Sequence, residues 1–411
     1  MPNDWHQTEV QGRNATLAGT NLENAKQHNR RVVLEALRLH GELSRADLKR
    51  LTRLSTQTVS NIADEFIERS LFVESDRRPT ARGKPPRMLS INAKGAYSIG
   101  LQLDHRKLIG VLLDLGGEEL ARTRFDVSHP NPEEGLPALE QAVAELITKS
   151  KVERSRICGI GVVMPGPFNV NEIAASGPTV LPNWQSFPLV KKLSQSTGLP
   201  VYLENDATAA AMGESYFGAA KGMRTFACVY IGTGLGGGLV IEGRPIRGKN
   251  GNAGEIGHVS IFPDGKACYC GNTGCAEQYL SLHSAYECLG LNSATSNPDS
   301  LETAFENREP KLFEWMQTAG LTLKLMILGL ENTLDPETVV ITGYMPEKLL
   351  DQILRVMEPL ARSVSAHDDR EIPRVLIGTA GDEVAALGAA VFPLLQSFGL
   401  VAPVLGAPNG G

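Results

Sequence analysis

Between Gly257 and Gln278 the chain reads GHVSIFPDGKACYCGNTGCAEQ, which places three of its six cysteines within eight positions and a histidine ten residues before the first. Glu255 precedes this stretch and Glu277 lies inside it. Thiolates and an imidazole are the ligands of a zinc ion, whereas paired cysteines alone are equally the parts of a redox loop. Carboxylates beside them could serve the metal, a reaction or a bound polar ligand. The types alone leave a catalytic metal centre, a redox loop and a structural clip all open, so the elements that position the stretch come next.

The chain has 411 residues, enough for two or three domains, with 42% apolar and 21% charged residues. No run approaches the ~20 apolar residues that span a bilayer. The first residues, MPNDWHQTEVQGRN, are polar where a secretory signal would be apolar. A cytoplasmic protein without membrane partners is expected. Charge is unevenly spread: Asn21–Ser90 carries 14 Lys and Arg against 9 Asp and Glu, a net +5. With −1 on residues 1–20, residues 91–411 carry −10 of a total of −6. A basic head on an acidic body points to a nucleic-acid-binding module joined to a domain of another kind.

The head has the pattern for it. Residues 1–25 are polar and aperiodic, and are expected to form a flexible arm. From Arg30, Val33, Ala36 and Leu37 recur at helical spacing until Gly41. Ser44 and Asp47 have capping-box spacing for a second helix, and Ser55 is placed to cap a third whose apolar stripe is Val59, Ile62, Ala63 and Phe66. Two short helices joined by a tight turn predict a helix-turn-helix. Ser55, Thr56, Gln57, Thr58, Ser60 and Asn61 at the start of the third helix, with Arg45, are the candidate DNA contacts, the short polar side chains suiting phosphates and base edges. Two β-leaning runs follow around a basic loop, RRPTARGKPPR, whose Arg82 and Lys84 are placed to enter a minor groove as a wing. The same features on a protein-docking module would leave only a solvated basic face.

The body alternates strands and helices: three strands in antiparallel order, then βα units, the series occurring twice. That predicts two related α/β lobes with a cleft between them. The segments ENDA, GTGLGGG, GNAGEIGH and CYCGNTGCAE, with the spacing H-x9-C-x-C-x4-C, resemble the ROK family of sugar repressors and sugar kinases. The likeness runs over about residues 28–395, and the winged head resembles the repressor branch. It implies an N-terminal winged helix-turn-helix over 26–91 and an actin-like, sugar-kinase-type body. That body divides into lobes at 92–206 and 207–396, with a zinc loop at 257–278 and a flexible tail at 397–411.

What the resemblance implies for chemistry depends on which site parts remain. Kinases of the family hold ATP phosphates in a D-x-G-G-T turn. Here Gln102 stands for the Asp, and Asp104, His105 and Arg106 stand for Gly-Gly-Thr. A carboxylate and two bulky side chains there oppose a triphosphate. The glycines at 232, 234 and 236–238 are kept, while Tyr344 and Met345 replace further nucleotide-side glycines. The sugar side is complete: Asn205, Asp206, Glu255, His258 and Glu277 are the expected sugar contacts, with Asp206 as vestigial general base. PTVLPNWQSFPL departs from the family's L-P-G-W-like segment, with Val180 and Asn183 at its altered positions, so sugar preference is expected to differ. His258, Cys268, Cys270 and Cys275 then form a closed, structural Zn²⁺ site rather than a catalytic one. The expected protein is no enzyme but a homo-oligomeric, sugar-responsive repressor bound to double-stranded operator DNA. The alternatives are an ATP-dependent sugar kinase carrying a DNA-binding head and a scaffold that no longer binds sugar.

Overall fold

A computed structural model describes residues 22–75, 87–166, 177, 179–365 and 369–398. The expected arm and tail lie outside these residues except for 22–25 and 397–398, and so do the wing residues Arg82 and Lys84.

The head consists of α1 (Leu22–His40), β1 (Leu43–Ser44), α2 (Arg45–Thr52), α3 (Thr56–Glu68), β2 (Phe72–Ser75) and β3 (Met88–Ile91). Helix α1 starts eight residues before the periodicity at Arg30 becomes apparent, and residues 25–29 on it are exposed or half-buried. Gly41 ends it at φ +73°, in the left-handed region that glycine enters without a Cβ clash. Ser44 and Asp47 make the capping box, and the Ser55 hydroxyl accepts the Thr58 N–H at 3.1 Å. Between the two helices Arg53 takes φ 58°, which produces the turn. The strands pair in the order β1-β3-β2, all antiparallel. That completes a winged helix-turn-helix arrangement whose core includes Leu37, Leu48, Val59, Phe66 and Phe72.

The first lobe is built on β4 (Tyr97–Leu103), β5 (Lys107–Asp114), β6 (Glu119–Asp126), β7 (Ile157–Met164) and β8 (Val201–Asn205), with α4 (Pro132–Ser150) and α5 (Leu189–Thr197) on one face. Strand order is β6-β5-β4-β7-β8, antiparallel through β4 and parallel beyond it. Helix α6 (Asp206–Phe217) leads to the second sheet, formed by β9 (Phe226–Ile231), β10 (Leu235–Ile241), β11 (Arg244–Pro245), β12 (Val339–Gly343) and β13 (Val375–Ile377). Its order, β11-β10-β9-β12-β13, repeats the first pattern. The helices α7 (Leu282–Cys288), α8 (Pro298–Glu306), α9 (Pro310–Leu334) and α10 (Glu347–Met357) pack beside it, and α11 (Val384–Ser397) ends the described chain. Helix α10 stops at Met357, because Pro359 cannot continue it. No helix among the described residues is long and apolar enough to cross a membrane.

One assignment differs from the sequence reading. Helix α11, placed there in the second lobe, packs on β4 and β7 of the first sheet and on α6. Small residues explain the choice. A Cβ added to Gly161 of β7 would lie 1.9 Å from the Ala389 carbonyl oxygen, and one on Gly100 of β4 2.1 Å from that of Ala386. Gly388 lies as tightly against α6, where a Cβ would meet the Ala209 carbonyl at 1.8 Å. Backbones this close leave no room for adjustment. Gly388→Ala is therefore expected to destabilise the body by about 1–3 kcal/mol, the usual cost of overpacking. Thermal melting checks this, and an unchanged melting temperature would contradict the close contact.

Candidate functional site

Strand β8 and helix α6 meet at the cleft. Asn205 is the N-cap: its side-chain oxygen accepts the N–H groups of Ala207 at 2.9 Å and Thr208 at 3.3 Å. Its amide nitrogen remains toward Gly166 and the cavity, so it offers a ligand a donor. Asp206 follows as the first residue of α6, where the positive end of the helix dipole favours an anion. Burial, with the Asp104 carboxylate as a second cause, nonetheless pushes its carboxyl up to about 7. Burial, then the carboxylates of Asp206 and Glu277, likewise raise Glu255 to about 7. Glu277 is buried, accepting the Leu235 N–H at 2.9 Å and the Tyr269 hydroxyl at 2.5 Å.

These residues and His258 line one cavity of about 50 Å³ between the lobes. All five expected sugar contacts are thus brought together. Tyr269, Thr179 and Tyr230 line it too, as do Asp104 and His105, which the sequence reading assigned only to a lost phosphate turn. Tyr269 lies within the C-Y-C segment, where its hydroxyl contacts Thr179 at 2.6 Å as well as Glu277. Nothing in the sequence distinguishes it from a loop aromatic. Gly234 is required by this site: a Cβ there would sit 2.4 Å from Glu277 Oε2.

A larger cleft of about 940 Å³ adjoins the cavity and shares Asp104, His105 and Thr233 with it. One backbone donor in each of the two turns is already taken. The Asp104 carboxylate accepts the His105 N–H at 2.6 Å, and Glu277 accepts that of Leu235 in the glycine-rich turn. Tyr344 stands over this cleft with the Lys107 ammonium 3.7 Å from its ring centre.

Beside the cavity, the ligand atoms of His258, Cys268, Cys270 and Cys275 lie within 4.8 Å of one another. The cysteines are free thiols. Cys268 Sγ is 3.6 Å from His258 Nδ1, and Cys270 Sγ is 3.6 Å from Cys275 Sγ. Around an ion with ~2.3 Å sulfur bonds, tetrahedral edges measure ~3.8 Å, so the set fits a four-coordinate metal. Gln278 and Asn272 direct amide groups at the sulfurs of Cys268 and Cys270, the outer contacts such a site needs. His258 Nε2 faces the Tyr269 hydroxyl at 3.4 Å, on the cavity side.

In the head, Thr56, Gln57 and Asn61 are exposed on α3, with Gln57 Nε2 donating to Asn61 Oδ1 at 2.7 Å. Thr58 and Ser60 are half-buried, and Ser55 is engaged in capping. Arg45 is held by Asp64 at 2.8 Å and by Glu74, which leaves it poorly placed to meet a phosphate. Two carboxylates distant in sequence produce this, and the composition of the head could not reveal it. Exposed Lys49 and Arg53 flank the turn instead.

Two repeated five-stranded sheets around a cleft, under a winged helix-turn-helix, define an actin-like, sugar-kinase-type body joined to a head of the DNA-binding class. Residues 98–394 match the ROK family. The chain belongs to that family. It is 30% identical to the xylose repressor of Bacillus spizizenii over 323 residues, which covers 78% of this chain and 83% of the relative. A solved ROK family transcriptional regulator, a homologue of the E. coli Mlc protein, superposes with TM-score 0.70 at 26% identity over 92% of this chain and 98% of that one. The ROK hexokinase of Thermus thermophilus superposes with TM-score 0.59 at 29% identity, over 73% of this chain and 98% of that one.

The raised carboxyl of Asp206 has a measurable consequence. Its folded value near 7 exceeds the unfolded value near 4, so the stability it contributes is complete below about pH 4 and lost as pH rises to about 7. Asp206→Asn removes that loss. The variant is expected to gain melting temperature over the parent at pH 8 by more than at pH 5, and an equal difference at both pH values would refute it.

Proposed function

We propose that this chain is a sequence-specific transcriptional regulator, acting as a repressor of carbohydrate genes, whose operator affinity is set by a sugar in the cleft. The observation that carries the reading is the span of α6. Its first residue, Asp206, lines the cavity, and Tyr216 in its last turn receives the head. Arg38 of α1 donates to the Tyr216 carbonyl at 3.2 Å and lies 4.4 Å over its ring. Twelve residues make a rod of ~18 Å. Glu214, buried on the same helix, accepts the Thr379 N–H at 3.1 Å on the nucleotide side of the cleft. A shift of the lobes on sugar binding therefore moves the seat of the head. The names of the relatives support the same reading.

Helix α3 then presents Thr56, Gln57 and Asn61 to the major groove, and Arg82 and Lys84, outside the described residues, are the basic side chains expected from the sequence to contact the minor groove. Half-sites one helical turn apart call for at least a homodimer. Catalysis is set aside because Asp104, His105 and Arg106 stand where the family's kinases carry a Gly-Gly-Thr phosphate turn, and carboxylates outnumber cations in the adjoining cleft. The cysteine–histidine cluster is read as structural Zn²⁺: all four positions are filled by the protein, and the metal would fix the His258 ring and the loop that carries Glu277. Selecting an operator from random DNA and titrating sugars into the complex tests the reading. Loss of operator selectivity, or ADP release with sugar and Mg-ATP at ordinary kinase rates, overturns it.

Two variants probe its parts. Arg38→Ala is expected to keep sugar binding but reduce the sugar-induced change in operator affinity at least about threefold, measured by fluorescence anisotropy. Cys270→Ser is expected to lower zinc content below half an ion per chain and to abolish the sugar response, while the head still binds DNA. A full response in zinc-free protein would refute the clip.

A further inference from the structure

His105 is almost fully buried at 2% exposure, yet its Nε2 has no hydrogen-bond partner among the described residues. The ring is not loosely held. Nδ1 lies 2.8 Å from Asp104 Oδ1, the His105 backbone N–H meets the same oxygen at 2.6 Å, and the ring of His129 packs edge-on at 5.2 Å. A carboxylate at Nδ1 fixes the tautomer of a neutral imidazole, with Nδ1 as donor and Nε2 as acceptor. The residue lines both the sugar-side cavity and the larger cleft, at their junction. An oriented, unpaired acceptor at this depth costs stability unless a ligand group meets it.

We infer that His105, positioned by Asp104, is an effector-binding residue that accepts a hydrogen bond from a sugar hydroxyl, and that this pair restricts the effector to an unphosphorylated sugar or polyol. The inference rests on the sugar-responsive reading above and names the class of its ligand. Three observations exclude a phosphate ester at the junction. The Asp104 carboxylate stands at the junction, held there by the His105 backbone N–H at 2.6 Å and Nδ1 at 2.8 Å. One N–H of each turn, that of His105 and that of Leu235, is already taken by Asp104 and Glu277. Finally, eight carboxylates line the adjoining cleft against three cations, of which Lys107 is directed at the Tyr344 ring. A hydroxyl donates to Nε2 without adding charge, whereas a phosphate dianion would face Asp104 and Asp206 across a poorly solvated gap.

The test uses the full-length protein and calorimetric titration with xylose, glucose and N-acetylglucosamine, each beside its phosphate ester. One neutral sugar is expected to bind, and its ester at least tenfold more weakly. His105→Phe, which keeps a ring against His129, is expected to weaken the neutral sugar about tenfold, the value of one buried hydrogen bond. Deoxy analogues, tried one hydroxyl at a time, should include one that loses as much in the parent and nothing further in the variant. Circular dichroism melting confirms that the variant is folded. An ester that binds as tightly as its parent sugar, or unchanged affinity in folded His105→Phe, overturns the inference and leaves the regulator reading intact. Failure of every sugar and ester to bind overturns both.

Discussion

The contact between α6 and α11 is the constraint on which the rest depends. Glycine and alanine bring these helices backbone to backbone, and the same residues seat α11 on β4 and β7 while α6 reaches β9 and β10. Interiors packed at this density transmit displacement rather than absorbing it. Each lobe thus contributes one wall to a shared layer, and the cleft opens at one end of it. Arg38 of the head is fastened to the opposite end of α6, and Phe66 and Arg69 meet Phe398 and the Ser397 carbonyl at the end of α11. A bulky side chain anywhere in this layer would separate the sensor from the part it is proposed to control.

Carboxylates organise the cleft. Asp104, Asp206, Glu255 and Glu277 line one small cavity, and burial, reinforced by mutual repulsion, pushes the carboxyls of Asp206 and Glu255 up to about 7. Such a group of acids is costly in an empty site. Hydroxyls relieve that cost because each can donate to an ionised oxygen and accept from a protonated one. The cysteine–histidine loop has a supporting part here: it brings Tyr269 and Glu277 to the cavity wall, where a flexible loop would let the buried carboxylate turn toward water.

Much of this was legible in the sequence. Capping residues, apolar periodicity and Gly41 located α2, α3 and the end of α1, since these signals are local. The repeat of three antiparallel strands followed by βα units identified two lobes, and the spacing of one histidine and three cysteines identified the cluster. What stayed hidden depended on tertiary contact. The partner of α11 is set by glycines on distant strands, so chain order assigned it to the wrong sheet. Arg45 reads as a DNA contact until Asp64 and Glu74 fold against it. Tyr269 and His105 carry no motif, and only burial with an oriented hydrogen-bond partner marks them.

The departures at the phosphate turn bear on how a kinase-type cleft can act as a sensor. In an enzyme of this architecture, closure is driven by two ligands, and the nucleotide contributes charge-assisted contacts to backbone donors. Here Asp104 engages the His105 N–H and Glu277 the Leu235 N–H from within the protein, so one donor of each turn already has a partner in the ligand-free chain. In the proposed regulator the sugar hydroxyls are what distinguishes open from closed. The equilibrium between the two can then shift by no more than the difference in sugar affinity between them, and the head at the far end of α6 experiences the same difference. Under the proposed function, a cleft that answers to one ligand makes the response depend on a single variable, the sugar concentration, which is the property a regulator of sugar genes requires.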